Sequence, residues 1–189
     1  MSWRVLTVTC MVAVISVLGN TRAWSQMIVH AMTGTIRSVS ATQLTATSSG
    51  VTQTFSVGRK SHASFNFDKD LREDSTPAAD FHKLGAFVVI YYYGTSTEKT
   101  AVAVKDLGAG PFERTSGTVT HFDKHSRRLT IKSTAGKTES FIVGDKAVID
   151  AGMQAKSGRK IDPPKGSHVR VTAVPENGAQ TIVLLRLQR

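Results

Sequence analysis

Apolar residues along the chain fall into short blocks in which they alternate with polar ones, as at 140–143 and 169–171. The blocks are rich in Thr, Val, Ile and Phe, and Gly, Ser-Gly or Asn-Gly steps separate them. Alternation with a period of two is typical of half-buried β-strands, and such steps are typical of tight turns. The pattern predicts an all-β protein.

The strand pattern occurs twice, at 34–107 and at 117–187, with its landmarks in the same order. Each copy has a Gly-Thr-Ile or Gly-Thr-Val opening, a Leu-Thr pair, a Phe-x-Val-Gly block and a Gly before an apolar strand. Each holds about five strand blocks, with a long polar segment between the third and the fourth. Five short strands suit a small OB-like barrel, which closes its edges.

We therefore predict two tandem five-stranded OB-like small barrels after an N-terminal signal segment. The predicted divisions are 1–25 for the signal peptide, 26–107 for the first barrel, 108–116 for a linker and 117–189 for the second barrel. In the first strand of each copy the apolar positions lie three residues apart, as in Ile36 and Val39. That spacing predicts a β-bulge, which barrel closure often needs.

The repeated glycine and apolar landmarks resemble those of an uncharacterised family of small OB-like β-barrel domains, often in tandem, in exported bacterial proteins. The resemblance covers both copies, about three quarters of the chain. It rests on structural glycines and core positions. It therefore implies a fold and an exported location, and it supplies no catalytic residue.

The first 25 residues have the pattern of a signal peptide. Arg4 precedes an apolar run at 5–18, and the small residues Ala23 and Ser25 flank Trp24 before a cleavage point. The run is short for a membrane span, and an uncleaved anchor is the alternative. The sequence predicts export to the periplasm or the extracellular space. The only cysteine, Cys10, lies in this segment, so the cleaved chain would hold no disulfide.

The formal net charge is +10, and it is concentrated in the second copy. Residues 34–107 have eight basic and seven acidic side chains, whereas residues 117–189 have thirteen basic and six acidic ones. A field of this sign attracts polyanions, and simple solvation of a basic secreted protein is the alternative. The predicted anion-binding residues are Lys124, Arg127, Arg128, Lys132, Lys137, Lys156, Arg159, Lys160 and Lys165.

The candidate partners are an anionic envelope polymer, an acidic protein or the headgroups of a membrane surface. Nucleic acid ranks last, because export removes the chain from the cytoplasm and the basic copy has few aromatic residues for base stacking.

The fourth strand block of the first copy predicts contact between the copies. If Val88, Ile90 and Tyr92 point into the barrel, the outward stripe is apolar and aromatic, and such a stripe usually marks an interface. The matching outward positions of the second copy, from His168 and Arg170 onward, are mostly polar. The opposite register, or a loop covering the stripe, is the alternative. The predicted interface residues are Phe87, Val89, Tyr91 and Tyr93.

Two groups of side chains have the chemistry of metal ligands. His121, Asp123 and His125 offer imidazoles and a carboxylate to zinc or copper, although their segment has the pattern of an exposed hairpin turn. The second group offers thioether and imidazole groups that suit Cu(I). Its members are Met27, His30 and Met32.

Catalytic signatures are missing from the sequence: no nucleophile elbow, phosphate-binding loop or pair of carboxylates stands out. We therefore expect a non-enzymatic binding or scaffolding protein of the bacterial envelope, with no cofactor and with a cationic second domain for anionic ligands. A periplasmic copper- or zinc-binding protein is the alternative. Nucleic-acid binding through an OB-like face is the third hypothesis.

Overall fold

The computed structural model describes residues 27–57, 66–95 and 97–188, so the predicted signal peptide lies outside the described residues. The fold is all-β, as the alternation of apolar and polar residues predicts. The first sheet holds β1 (His30–Val39), β2 (Gln43–Ser48), β3 (Val51–Val57), β4 (Thr76–Pro77), β5 (Phe87–Gly94) and β6 (Lys99–Asp106). The second holds β7 (Glu113–Asp123), β8 (Arg128–Ser133), β9 (Thr138–Ile142), β10 (Val148–Asp150), β11 (Ala155–Ser157), β12 (His168–Glu176) and β13 (Ala179–Gln188).

In the residues that the structure describes, helical structure is limited to short pieces in the two long connections. The helix α1 spans Lys69–Glu73, and single 3-10 turns span Ala78–Asp80 and Gly158–Lys160. Within the described ranges, none of these has the length and hydropathy of a membrane-crossing helix.

Five strands of the first sheet close into a barrel. The order is β3-β2-β1-β5-β6, and parallel pairing of Ser56 and Val57 with Thr100 and Ala101 joins β3 to β6. The two-residue strand β4 lies outside this ring, on β6. The inward side chains form one apolar cluster that includes Leu44, Phe55 and Ile90.

The second sheet repeats the closure. Its ring has the order β9-β8-β7-β12-β13, and Thr181 of β13 pairs in parallel with Ile142 of β9. The extra hairpin β10–β11 attaches to β13 through β10. Val119, Leu129 and Phe141 are among the residues of its core. The ring's first strand begins at Glu113, four residues before the start of the second copy as the repeat defines it.

The predicted bulge is confirmed in the first strand of both barrels. The pairing of β1 with β2 shifts between Ile36 and Ser38, and that of β7 with β8 shifts between Val119 and His121. An extra residue of this kind bends and twists a strand, which helps the sheet to close on itself.

A third apolar cluster joins the two barrels. Val89 and Tyr91 of β5 are fully buried there against Val148, Ala155 and Leu184 of the second sheet. Both faces of β5 are therefore buried, because Val88, Ile90 and Tyr92 lie in the first barrel's core. The remaining predicted stripe residues lie at its margins: Tyr93 packs against the cluster, and the Phe87 ring stacks on Phe112 with centroids 4.0 Å apart.

Candidate anion-binding face

Cations lie on three neighbouring strands on the outer side of the second barrel. Val169, Val171 and Ala173 of β12 point into the core, so the alternation of a strand places His168, Arg170 and Thr172 on the outside. Arg170 pairs in register with Arg186 on β13 and with Ser116 on β7. Thr172 pairs with Arg114 on β7. The pairing of β12 with β13 and with β7 thus gathers three arginines from three separate parts of the sequence.

The same outer surface continues across β7 onto β8. His168 is in register with Thr118, and its Nδ1 lies 3.2 Å from the Thr118 hydroxyl. Thr118 is in register with Lys132 of β8, an exposed side chain between two inward-facing neighbours. We call this surface the basic face, and its members are Arg114, Lys132, His168, Arg170 and Arg186.

Arg114 is affected by both its partial burial and the charge of Arg170. Burial lowers the pKa of its guanidinium, and the neighbouring charge of Arg170 lowers that pKa further. The Arg114 guanidinium carbon lies 5.2 Å from the centre of the Phe87 ring, a distance typical of cation–π contacts. The aromatic ring therefore holds Arg114 beside the other cations despite their like charge.

Carboxylates neutralise little of this charge. All fourteen Asp and Glu residues lie within the described ranges. Among the described residues, neither Arg114 nor Arg170 forms an ion pair, whereas Arg186 Nε lies 3.5 Å from Asp150 Oδ2. Like charges on directly opposed strand positions destabilise a sheet. The basic face therefore carries a folding cost that a bound anion would relieve.

Among the predicted cations whose side chains are described, Lys124 and Arg159 are engaged in exposed ion pairs. Lys124 Nζ lies 2.6 Å from Asp162 Oδ2, and Arg159 Nε lies 3.2 Å from Asp145 Oδ2. An exposed pair of this kind exchanges with solvent at little cost, and it reduces the charge available to a ligand.

Arg127 has a structural environment. Its Nε donates to the carbonyl oxygen of Val143 at 3.2 Å, and its terminal nitrogen donates to the carbonyl oxygen of Gly158. These bonds tie the turn before β8 to the end of β9 and to the 3-10 turn.

Of the nine cations predicted to bind anions, Lys132 belongs to the basic face, and the Lys160 side chain lies outside the described part. The others are exposed: Arg128, Lys137, Lys156 and Lys165.

The imidazole and carboxylate group predicted as a metal site lies at the β7–β8 turn. Asp123 Oδ1 accepts the backbone N–H groups of His125 and Ser126, and Oδ2 accepts the Ser126 hydroxyl. These hydrogen bonds hold the pKa of Asp123 below its ordinary value. The bond from the Ser126 hydroxyl has the largest effect, and the two backbone N–H groups add to it. Both carboxylate oxygens of Asp123 thus accept hydrogen bonds from within the turn, while the side chains of His121 and His125 are exposed.

The residues predicted to bind Cu(I), Met27, His30 and Met32, lie in different environments. Met32 is only 5% exposed and belongs to the first barrel's core, whereas Met27 is 38% exposed. His30 Nδ1 lies 3.5 Å from Asp150 Oδ1. In the part of the chain that the structure describes, no three His, Cys, Asp or Glu side chains stand together as a metal site.

Asp150 connects the two barrels at the edge of the basic face. Its side chain is 2% exposed, and it accepts the backbone N–H groups of Ala31 at 3.2 Å and of Gly152 at 3.0 Å. His30 Nδ1 of the first barrel lies beside Asp150 Oδ1, and Arg186 Nε of the second barrel lies beside Asp150 Oδ2. Burial raises the pKa of the adjacent Tyr92 hydroxyl, and Arg186 partly opposes that shift.

Comparison with known proteins identifies neither a family nor a curated relative: no protein-family model matches, and no curated protein does. Among solved structures, the chain is similar to an apo fragment of CusF from Escherichia coli, at 12% identity and a TM-score of 0.33. That match covers 44% of this chain and 95% of the CusF fragment. A tryptophan-to-alanine variant of CusF with Cu(II) matches at 14% identity and 0.33, with 44% and 100% covered.

Proposed function

We propose that this protein is an exported, non-enzymatic binding protein whose second barrel holds an anionic polymer on its basic face. One observation carries the proposal: cations from β7, β8, β12 and β13 share one outer surface, and Arg114 and Arg170 have no carboxylate partner among the described residues. A surface of this sign attracts a polyanion over a distance and concentrates it locally.

The spacing of the basic face suits a ligand with repeated charges. Strands in a sheet lie about 4.8 Å apart, so cations on successive strands present charges at intervals of that order. The outward hydroxyls of Ser116 and Thr118 lie between Arg170 and Lys132, and they add neutral hydrogen-bond donors. A flexible anionic chain can follow such a row, releasing a counterion at each contact.

The proposal is tested by the affinity of the exported protein for polyphosphate, measured by calorimetry at constant ionic strength. Replacing Lys132 by Gln removes one cation of the basic face, and we expect the affinity to fall several-fold because one charged contact is lost. Lys124→Gln is the matched control, since Lys124 is also exposed but is already paired with Asp162. Equal losses in the two variants would contradict a localised face and indicate attraction by net charge alone.

Poly-glutamate serves as the second probe in the same experiment. If poly-glutamate binds more tightly than polyphosphate and depends on Lys132, the partner is an acidic protein and the polymer proposal is wrong. If anionic lipid vesicles alone bind, the partner is a membrane surface.

A further inference from the structure

The three arginines of the basic face also border a groove between the two barrels. The first barrel contributes Thr33 and Ser48 to the walls, and the second contributes Arg114, Thr172 and Arg186. The groove itself has a volume of about 30 Å³, and a separate open depression of about 300 Å³ shares Arg170 and Arg186 with it. Residues from both barrels therefore surround one small space.

We propose that the mouth of this groove, where Arg170 and Arg186 also line the open depression, is a discrete site for a single dianionic phosphate group, held by Arg114, Arg170 and Arg186. The inference rests on the proposed function, because it names the group that such a ligand presents at one end of the basic face.

Charge is the first argument for a dianion. Three guanidinium groups face the groove region, and Asp150 is the only carboxylate within ion-pair distance of any of them among the described residues. The local excess is therefore about two positive charges. A phosphate monoester carries about −1.5 to −2 at neutral pH, which matches this excess better than a carboxylate does.

Donor geometry is the second argument. Guanidinium groups donate in a planar fork that fits two oxygens of a phosphate at once, and three such groups can surround a tetrahedral ligand. The hydroxyls of Thr33 and Thr172, one from each barrel, lie 3.4 Å apart and pair with each other in the lining of the groove.

Preorganisation is the third argument. Arg114 is held on the Phe87 ring and Arg186 on the Asp150 carboxylate, so two of the three cations are oriented before any ligand arrives. Groups that are ordered in advance lose less conformational entropy on binding. Because Thr33 and Ser48 belong to the first barrel, a bound phosphate would also strengthen the contact between the barrels.

Inorganic phosphate is the probe, with the intact exported protein followed by calorimetry and by thermal unfolding at fixed ionic strength. We expect phosphate to raise the unfolding temperature more than acetate does, and Arg170→Gln to weaken phosphate binding about tenfold. Arg170→Lys keeps the charge without the fork, so it should give an intermediate loss. Lys124→Gln is the control outside the groove, because Lys124 is already paired with Asp162, and its phosphate affinity should stay within about twofold of the parent value.

Equal binding of acetate and phosphate, or unchanged phosphate affinity in Arg170→Gln, would overturn the discrete site. Polyphosphate binding that needs Lys132, without any binding of inorganic phosphate, would reject this site and leave the proposed function standing. Phosphate binding that needs Arg170, without any binding of polyphosphate, would support this site and reject the proposed function.

Discussion

At the scale of single residues, one glycine sets the distance between the first two strands of each barrel. A Cβ atom on Gly34 would lie 3.0 Å from the Thr47 carbonyl oxygen, and one on Gly117 would clash with the backbone of Lys132 and Ser133. Backbone atoms cannot move aside as a side-chain end can. The repeated Gly-Thr step in the sequence therefore marks a close backbone approach between the first two strands of each barrel.

We predict that Gly117→Ala destabilises the protein by about 1–3 kcal/mol and that Gly34→Ala costs less, since the approach at Gly117 is tighter. Urea unfolding of the two variants, followed by circular dichroism, measures both free energies of unfolding. A larger loss at Gly34 than at Gly117 would contradict this explanation.

The sequence alone could not predict which cations form the basic face. Basic clusters in the sequence include Arg127, whose guanidinium donates to two backbone carbonyl oxygens. They leave out Arg114, Arg170 and Arg186, which are isolated in sequence and meet only through strand pairing. Placing Arg170 outward needed only the alternation of β12, but its register with Arg186 needed the pairing of β12 with β13.

At the scale of elements, β5 is buried on both faces, and Tyr91 lies at the centre of its outer face. The Tyr91 side chain is fully buried, 4.8 Å from the Phe67 ring, and its hydroxyl has no hydrogen-bond partner among the described residues. Burial raises the pKa of this hydroxyl well above its ordinary value, and the charges of Asp74 and Asp68 raise it further. The ring therefore stabilises the contact while the hydroxyl opposes it.

We predict that Tyr91→Phe leaves the free energy of unfolding unchanged or raises it by about 1 kcal/mol, because an unsatisfied buried hydroxyl is removed. Tyr91→Ala should cost about 3–5 kcal/mol through the cavity it leaves. The advantage of Tyr91→Phe should grow above about pH 10, where the phenol ionises in the unfolded parent but stays protonated in the folded one. Destabilisation by Tyr91→Phe at neutral pH would show that the hydroxyl is satisfied.

The five strands of each barrel could be predicted because their apolar positions repeat with a period of two. The remaining elements could not, because β4, β10 and β11 have only two or three residues and α1 has five. Phe67 and Leu71 lie in a segment with many charges, yet both are buried between the barrels. Two buried residues in a charged segment are too few to produce a periodic pattern, so their burial could not be predicted from the sequence.

At the scale of the whole molecule, Asp150 is the polar centre of the contact between the barrels. It accepts the Ala31 backbone N–H across the contact and lies beside Arg186 within the second barrel. The backbone N–H of Ala155 also donates to the Val29 carbonyl oxygen at 2.7 Å. Hydrogen bonds and the apolar cluster thus hold the two closed sheets together.

We predict that Asp150→Ala destabilises the protein by about 3–5 kcal/mol, because the Ala31 N–H and the Arg186 guanidinium lose a buried partner. Asp150→Asn keeps the shape and one carbonyl acceptor, so its loss should be smaller. Denaturant unfolding of both variants checks the order, and equal stability of Asp150→Ala and the parent would contradict a structural role for this carboxylate.

The salt dependence of polyphosphate affinity tests the central claim most directly, because binding by the basic face must release counterions. For this protein, log affinity should fall linearly with log salt between about 50 and 200 mM, and Arg170→Gln should reduce the steepness by about one unit. An affinity that does not change with salt, or a slope that Arg170→Gln leaves unaltered, would contradict anion binding by this face.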